Sequence, residues 1–152
     1  MFLDLEIAPE GALGRISAGV NQRGKRAFGV LKTANEYVGV IAGQEFEIWE
    51  RQKRAVHARG RVAARARGTR VEVTFMVPTR TRALVVIFFL LYALAAFGIA
   101  NQPQDPSVSP MELLIAVAGA AVLAALFVAG ARSQRADLRR FLEHMFEGVG
   151  RL

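Results

Sequence analysis

Two long apolar stretches dominate the pattern of hydrophobic and polar positions along the chain. The first runs from Ala83 to Ala100 and the second from Leu113 to Ala131, and neither contains a charged residue. Each stretch is long enough to cross, as a helix, the roughly 30 Å hydrocarbon core of a bilayer. The intervening residues 101–112 contain three prolines, which interrupt helices. The pattern therefore predicts a transmembrane helical hairpin, with two buried helices of a soluble domain as the alternative.

A second pattern, alternation of apolar and polar positions, fills much of the chain before the hairpin. The predicted strands are Phe2–Ile7, Ala27–Leu31, Tyr37–Ile41, Gln44–Glu50, Ala55–Ala66 and Thr69–Val77. We interpret Gly11, Gly14 and Gly19, together with the segment Asn21–Lys25, as turns between strands. Alternation with one polar face is typical of an antiparallel sheet that is covered on one side. A cytoplasmic β-rich domain is therefore predicted over residues 1–82.

The chain after the second apolar stretch has the period of an amphipathic helix. Ser133 is the predicted N-cap, and the apolar stripe comprises Leu138, Phe141, Leu142, Met145, Phe146 and Val149. A helix over residues 132–152 either packs on the sheet or lies among lipid headgroups. The uncovered apolar face of the sheet favours the first alternative.

The predicted fold class is thus an α+β membrane protein. An N-terminal antiparallel sheet domain is followed by transmembrane helices over 83–100 and 113–131, joined by a short extracytoplasmic loop at 101–112. A cytoplasmic amphipathic helix then ends the chain.

Charged residues predict the orientation of the hairpin. The chain has 20 Lys and Arg against 13 Asp and Glu, a formal net charge of +7. Arg80 and Arg82 precede the first apolar stretch, and Arg132 and Arg135 follow the second. The positive-inside rule then predicts that both termini are cytoplasmic. Met1–Pro9 lacks the features of a signal peptide, and the absence of cysteine excludes disulfides and thiol chemistry.

Three motifs carry a resemblance to a known class of proteins. They are Phe46-Glu-Ile-Trp49, Ala58-Arg-Gly-Arg-Val62 and Gly68-Thr-Arg-Val-Glu-Val-Thr-Phe75. Over roughly residues 44–100 the chain resembles bacterial two-span inner-membrane proteins with a small cytoplasmic β-meander domain, somewhat like half of a helix-grip or pleckstrin-like fold. The resemblance implies this fold and a bacterial inner-membrane location. It transfers no catalytic residue, because its motifs are structural.

Basic residues cluster in the second half of the predicted sheet domain. They are Arg51, Lys53, Arg54, Arg59, Arg61, Arg65, Arg67 and Arg70. Nucleic acid is disfavoured as a partner, because Trp49 is the one ring close by and single-strand sites interleave several aromatic side chains with their cations. Contact with anionic lipid headgroups, docking of an acidic partner subunit and an ordinary solvated face remain as interpretations. We predict a partner or lipid-surface contact by Arg51, Lys53, Arg54, Arg59, Arg61, Arg65 and Arg67.

The second apolar stretch is rich in small residues at helical spacing. The residues predicted to pack against another helix are Ala116, Gly119, Ala120 and Ala124. Their predicted partners on the first stretch are Ala93, Ala96 and Ala100. Small side chains let helix backbones approach closely, and they extend far enough around the second helix to leave a face for another protein. The bulky segment Val85–Tyr92 suits contact with lipid. Neither stretch contains an ionisable Asp, Glu, Lys, Arg or His, so no ion path is predicted.

No constellation of residues predicts catalysis, a cofactor or a metal ion. Gly19–Arg26 matches most of a phosphate-binding loop, but Arg26 stands where the motif needs Ser or Thr, and a strand is predicted to follow. We interpret His57 and His144 as solvated surface residues, with a local pairing of His144 and Glu147 as the alternative. The chain is therefore predicted not to be an enzyme, with a distributed active site as the remaining alternative.

Two functional hypotheses follow. The first is a non-catalytic accessory or structural subunit of a larger bacterial inner-membrane complex of the respiratory, photosynthetic or secretion type. Its partners would be other membrane-protein subunits and anionic lipid headgroups. The second is a membrane-tethered module that binds a lipid or small apolar ligand in a cavity between sheet and helix, where Ala58, Gly60 and Ala64 leave room.

Overall fold

The computed structural model describes residues 1–22, 35–100 and 109–150. The chain divides into two compact units, Met1–Val77 with Ser133–Leu152 and Pro78–Arg132, which we call the sheet unit and the hairpin unit. The strands are β1 Phe2–Leu5, β2 Asn21–Gln22, β3 Tyr37–Ala42, β4 Glu45–Glu50, β5 His57–Arg65 and β6 Gly68–Met76. The helices are α1 Pro9–Gly19, α2 Thr79–Ala100 and α3 Pro110–Met145.

The sheet has the strand order β1-β6-β5-β4-β3-β2. Every pairing among β1, β6, β5, β4 and β3 is antiparallel, and the two-residue β2 joins the edge parallel to β3. The predicted antiparallel sheet is therefore confirmed. The predicted strand Ala27–Leu31 and most of the predicted turn Asn21–Lys25 lie outside the described residues.

Period-two alternation explains which face of the sheet is buried. The cross-strand row Phe46, Gly60 and Val73 and the row Leu3, Val71 and Val62 point to the same face, which we call the inner face. Their large apolar members are buried, whereas Arg59 and Glu72 on the outer face are exposed. Burying the inner face removes apolar surface from water at about 25 cal/mol per Å², which is the main stabilising term for the unit.

Helix α1 covers part of the inner face and corrects the prediction of turns at Gly11, Gly14 and Gly19. Pro9 begins the helix directly after an extended Ala8, a position where the missing N–H of proline costs nothing. Ala12 and Ile16, one helical turn apart, are fully buried. Burial of this pair outweighs the low helix propensity of glycine, which amounts to about 1 kcal/mol per residue.

The C-terminal part of α3 covers the rest of the inner face. The stripe residues Leu138 and Leu142 in this part of α3 are buried, as is Phe146 directly after its last residue. The ring of Phe141 stacks on Tyr37 of β3 with centroids 3.8 Å apart, and the Arg135 guanidinium lies 5.4 Å from the centroid of the Phe75 ring in β6. These contacts place the predicted amphipathic segment against the sheet.

The predicted N-cap at Ser133 is wrong, because α3 continues without interruption from Pro110 to Met145. The neighbours Ala131, Arg132, Gln134 and Arg135 are helix formers, so nothing in the local sequence stops the helix. The N-terminus of α3 is instead capped at Ser109. The Ser109 hydroxyl accepts a hydrogen bond from Glu112 N at 3.2 Å, and the Glu112 carboxylate accepts one from Ser109 N at 2.9 Å.

The hairpin unit consists of α2 and the first part of α3. Both helices are long and apolar enough to cross a membrane, with mean hydropathies of 2.3 for Thr79–Ile99 and 2.6 for the apolar window of Pro110–Met145. Most of their large apolar side chains are exposed. Length, composition and exposure together indicate membrane association.

Candidate functional site

The basic residues that the sequence places in one row fall into three separate groups in the sheet unit. The loop cations are Arg51, Lys53 and Arg54, between β4 and β5. The face cations are Arg59, Arg61 and Arg70, on the outer face. The hairpin cations are Arg65 and Arg67, at the β5–β6 turn. These groups occupy different positions along the sheet, so each is described in turn.

Carboxylates accompany the face cations across the strands. Arg59 Nη2 lies 3.4 Å from Glu45 Oε2, and Arg61 is in register with Glu45 on one side and Glu72 on the other. Arg70 donates two hydrogen bonds to Asp4, of 2.6 and 2.9 Å. Cross-strand pairs of opposite charge stabilise sheets by a few tenths of a kcal/mol up to about 1 kcal/mol. The face cations are thus engaged in holding strands together.

The Asp4–Arg70 pair also shifts a titration. The hydrogen bonds from Arg70, reinforced by its positive charge, hold the pKa of Asp4 below its ordinary value of 3.8. The pair joins edge strand β1 to β6, where the Asp4 and Arg70 backbones are in register. Ionised Asp4 therefore favours the closed edge of the sheet.

The loop cations are exposed, and one of them has a buried partner. Lys53 Nζ lies 3.3 Å from Glu50 Oε1, and the side chain of Glu50 is only 7% exposed. The backbone N–H of Arg51 donates to Glu36 O at 2.9 Å, which fixes the start of the loop. Lys53 thus compensates a buried carboxylate. Arg51 and Arg54 are exposed residues of the same loop.

The hairpin cations lie at the far end of β5 from this loop. Arg65 pairs with Gly68, and Gly68 has a φ of 122°, a conformation that glycine adopts without strain. Its Cα also faces Leu5 O so closely that a side chain would collide with it. The nine residues of β5 extend over about 27 Å, so the two exposed groups are well separated.

His57 is not the solvated residue that the sequence predicts. Its side chain is 15% exposed, and its Nδ1 lies 2.6 Å from Glu47 Oε1. The ring stacks on Trp49, its cross-strand neighbour, with centroids 4.9 Å apart. Strand pairing brings these three residues together, whereas spacing along the chain does not reveal the pairing.

His144 does remain at the surface. Its Nδ1 lies 2.7 Å from Glu147 Oε2, the local pairing considered from the sequence. Among the residues that the structure describes, no group of three or more His, Cys, Asp or Glu side chains is placed to hold a metal ion. Gly19 of the loop-like motif ends α1, and the rest of that motif from residue 23 onward lies outside the described residues.

A surface cleft of about 400 Å³ lies between β3, β4 and α3. Its lining is of mixed charge and includes Glu36, Tyr37, Glu50, Lys53, Asp137, Arg140, Phe141 and His144. Burial, followed by the nearby carboxylates, raises the pKa of Tyr37 above its ordinary value of 10.0. Tyr37 is therefore neutral at physiological pH, with its ring stacked on Phe141.

In the hairpin unit, Tyr92 makes the contact that the sequence assigns to alanines. Its hydroxyl donates to Ala116 O at 2.9 Å, and it lies where a side chain on Gly119 would be. Ala96 is half-buried and Ala93 is exposed, while the side chain of Ala100 is outside the description. Tyr92 carries the one hydroxyl in its apolar stretch, and this signal was available in the sequence.

The predicted packing residues of α3 share one face of the helix. Ala116, Gly119, Ala120 and Ala124 are all half-buried within the unit. Two of them, Ala116 and Ala120, line an apolar groove of about 700 Å³ together with residues of α2 that include Phe89, Tyr92, Ala96 and Phe97. Small side chains on this face accommodate the Tyr92 ring and leave the groove beside it.

A second set of small residues occupies the opposite face of α3. These are Ala118, Ala121, Ala125 and Ala129, and all four are exposed. At 100° per residue their centre lies about half a turn from the face that borders α2. We call this set the outer alanine face. It is the part of the helix that the hairpin itself does not use.

Known proteins do not add to this geometry. No family model, no curated protein and no solved structure matches the chain. The resemblance based on the strand motifs therefore stays a hypothesis, and the side chains described above are the basis for assigning a function.

Proposed function

We propose that this protein is a non-catalytic, membrane-embedded subunit that helps to assemble a larger complex. Its hairpin crosses the bilayer, its sheet unit braces a neighbour on the cytoplasmic side, and the outer alanine face of α3 binds a helix of another membrane protein. The observation that carries the proposal is the pair of small-residue faces on α3. One of them borders α2, and the other is exposed.

The physics of helix association in lipid supports this role for the outer alanine face. Lipid tails are as apolar as leucine, so membrane helices associate through close packing rather than through burial of apolar area. Ala118, Ala121, Ala125 and Ala129 recur at spacings of three and four and form a shallow surface along about three helical turns. An anchor that contacts only lipid does not require such a surface, because bulky apolar residues serve equally well there.

The flanking charges support the orientation. Arg80 and Arg82 begin α2, and Arg132 follows the apolar part of α3. Cytoplasmic segments next to membrane spans are enriched in such residues, so the sheet unit lies on the cytoplasmic side in this proposal. The bacterial inner membrane and a respiratory, photosynthetic or secretion complex are the proposed settings.

The polar pairs of the sheet unit support a structural role for that unit. Glu47 with His57 and Asp4 with Arg70 each connect different strands. Arg15 Nη1 donates to Met145 O at 3.3 Å, which joins α1 to the end of α3. Groups that hold the fold together in this way provide a rigid body suited to bracing a neighbour.

The second candidate function is binding of an apolar ligand, and the structure favours a different site for it than the sequence does. The sequence predicts a cavity over Ala58, Gly60 and Ala64, but the Phe46 ring fills the space that a side chain on Gly60 would occupy. Ala58 is fully buried and Ala64 is exposed. The groove between α2 and α3 is the specific observation that favours an apolar ligand, such as an acyl chain, in this protein.

Purification of the tagged full chain from native membranes in a mild detergent tests the assembly proposal. We expect one or more membrane proteins to co-purify in a fixed ratio. Ala121→Leu fills the outer alanine face and should abolish the association, whereas the matched control Ala83→Leu, on an exposed part of α2, should preserve it. Recovery of only monomer or homodimer from the wild-type chain would overturn the proposal.

A further inference from the structure

Both covalent connections between the sheet unit and the hairpin unit leave the sheet at the same end. β6 ends at Met76, which pairs with His57 at the start of β5, and two residues separate β6 from α2. On the return, the Val56 N–H donates to Gln134 Oε1 at 3.2 Å. Val56 immediately precedes His57, so both connections meet the sheet where β5 begins.

The loop cations lie at this end of the sheet. Their loop starts after β4 and ends at β5, and the last pair of those strands is Trp49 with His57. The hairpin cations lie at the other end of β5, about 27 Å away along the strand. The loop cations therefore lie near the point where the chain passes from β6 to α2, and the hairpin cations lie far from it.

We infer that Arg51 and Arg54 among the loop cations bind the anionic headgroups of the bilayer that holds α2 and α3, and that the hairpin cations Arg65 and Arg67, at the β5–β6 turn, do not. This inference rests on the membrane insertion in the proposed function. Three residue steps lead from Met76 to Thr79 and reach at most about 10 Å, so the covalent chain keeps this end of the sheet near the bilayer surface.

The range of electrostatic attraction decides between the two groups. Attraction to an anionic leaflet falls off within a Debye length, which is about 8 Å at physiological ionic strength. A connection of at most about 10 Å keeps the loop end of the sheet at a distance comparable to that range, whereas the hairpin cations are about 27 Å further from the connection, measured along β5. Arg80 and Arg82, at the start of α2, add to the positive charge beside the connection.

The absence of cysteine makes a site-specific test straightforward. Gln52→Cys in the loop and Ala66→Cys in the β5–β6 turn each introduce one exposed labelling site. The full-length chain, labelled with a fluorophore, is reconstituted in vesicles of phosphatidylcholine alone or mixed with phosphatidylglycerol. Quenching by a headgroup spin-labelled phospholipid then reports the distance of each label from the headgroups, and flotation confirms that the protein is in the vesicles.

We expect stronger quenching at residue 52 than at residue 66, with a further increase at residue 52 when phosphatidylglycerol is present. The double variant Arg51→Ala with Arg54→Ala should lose that increase, as should high salt. Arg65→Ala with Arg67→Ala removes the same charge from the hairpin cations and should keep it. Lys53 is left in place because it compensates the buried Glu50.

Three outcomes would overturn the inference. Equal quenching at both labels would show that the sheet has no membrane-facing end. If quenching at residue 52 were the same with and without phosphatidylglycerol, the loop cations would not bind anionic lipid. An acidic protein partner would then be the remaining interpretation of these cations. Failure of the protein to float would overturn the insertion on which the proposed function also depends, whereas flotation with either of the first two results leaves that function intact.

Discussion

Phe46, Leu142 and Phe146 in the sheet unit are almost completely buried, whereas Phe88, Leu91 and Phe97 in the hairpin unit are half exposed or more. The first set forms a core that two helices and a sheet enclose in water. The second set faces outward along helices whose backbone polar groups bond within each helix, as a lipid environment requires. The comparison shows that one chain uses the same residue types for two purposes, a closed core and an open apolar surface.

The largest expected difference between the two units is the change in stability when one phenylalanine in each is replaced by alanine. Phe146→Ala removes a side chain that is 1% exposed and should destabilise the sheet unit by about 3–5 kcal/mol. Phe97→Ala removes one that is 66% exposed and should leave the sheet unit unchanged. Trp49, the single tryptophan, lies in the sheet unit, so its fluorescence in a urea titration measures the change. Equal shifts for both variants would contradict the division into two units.

The next effect concerns the buried junction between α3 and the β5 end of the sheet. Gln134→Leu deprives the Val56 N–H of its acceptor and should cost about 1–3 kcal/mol, the penalty of a buried donor left unpaired. Gln52→Leu is the matched control at an exposed position and should change stability by less than about 0.5 kcal/mol. The same urea titration measures both. A neutral Gln134→Leu would mean that this hydrogen bond does not hold the junction.

A smaller effect is expected inside the hairpin unit. Tyr92→Phe removes the hydrogen bond to Ala116 O and should weaken the helix pair by about 0.6 kcal/mol, a typical value for such bonds in membranes. Gly119→Ala should also weaken it, because the added methyl meets the Tyr92 hydroxyl, whereas Gly98→Ala enters open space and should not. Unfolding of the full chain in bicelles measures these differences. If Gly119→Ala and Gly98→Ala changed the stability of the helix pair equally, Tyr92 would not pack against Gly119.

The smallest expected effect is the pH dependence of the β1 edge. The pKa of Asp4 in the folded protein lies below its ordinary value of 3.8, so ionised Asp4 favours the folded state above that value. This contribution should decline as the pH falls from about 3.8 through the lower folded pKa. Asp4→Asn should therefore flatten the acid limb of the stability profile, measured by urea midpoints at stepped pH. If Asp4→Asn left the acid limb of the stability profile unchanged, the Asp4–Arg70 pair would not stabilise the folded state.

The sequence predicts the elements whose pattern is set by burial on one side. Strands β3 to β6 and the stripe of Leu138, Leu142 and Phe146 follow directly from period two and period 3.6. Helix α1 escapes prediction because three glycines signal turns, whereas the buried pair Ala12 and Ile16 that stabilises it is a tertiary contact. Ser133 has the chemistry of a cap, but continuous helix formers on both sides make no use of it.

The candidate surfaces are less predictable than the fold. The sequence shows only that arginines are frequent in this part of the chain. Strand register reveals that Glu45 and Glu72 lie opposite Arg61 and that Asp4 lies opposite Arg70. Register also brings Trp49 beside His57. The small residues of α3 are visible in the sequence, whereas their division into a face that borders α2 and an outer alanine face requires the partner helix.

The most direct test of the central claim is site-specific photo-crosslinking in native membranes. A photoreactive residue at Ala121, on the outer alanine face, is compared with one at Leu126, which is 65% exposed on a lateral face of α3. The proposed assembly role predicts a discrete adduct with another membrane protein from position 121 and lipid adducts from position 126. Lipid adducts alone from both positions would contradict it.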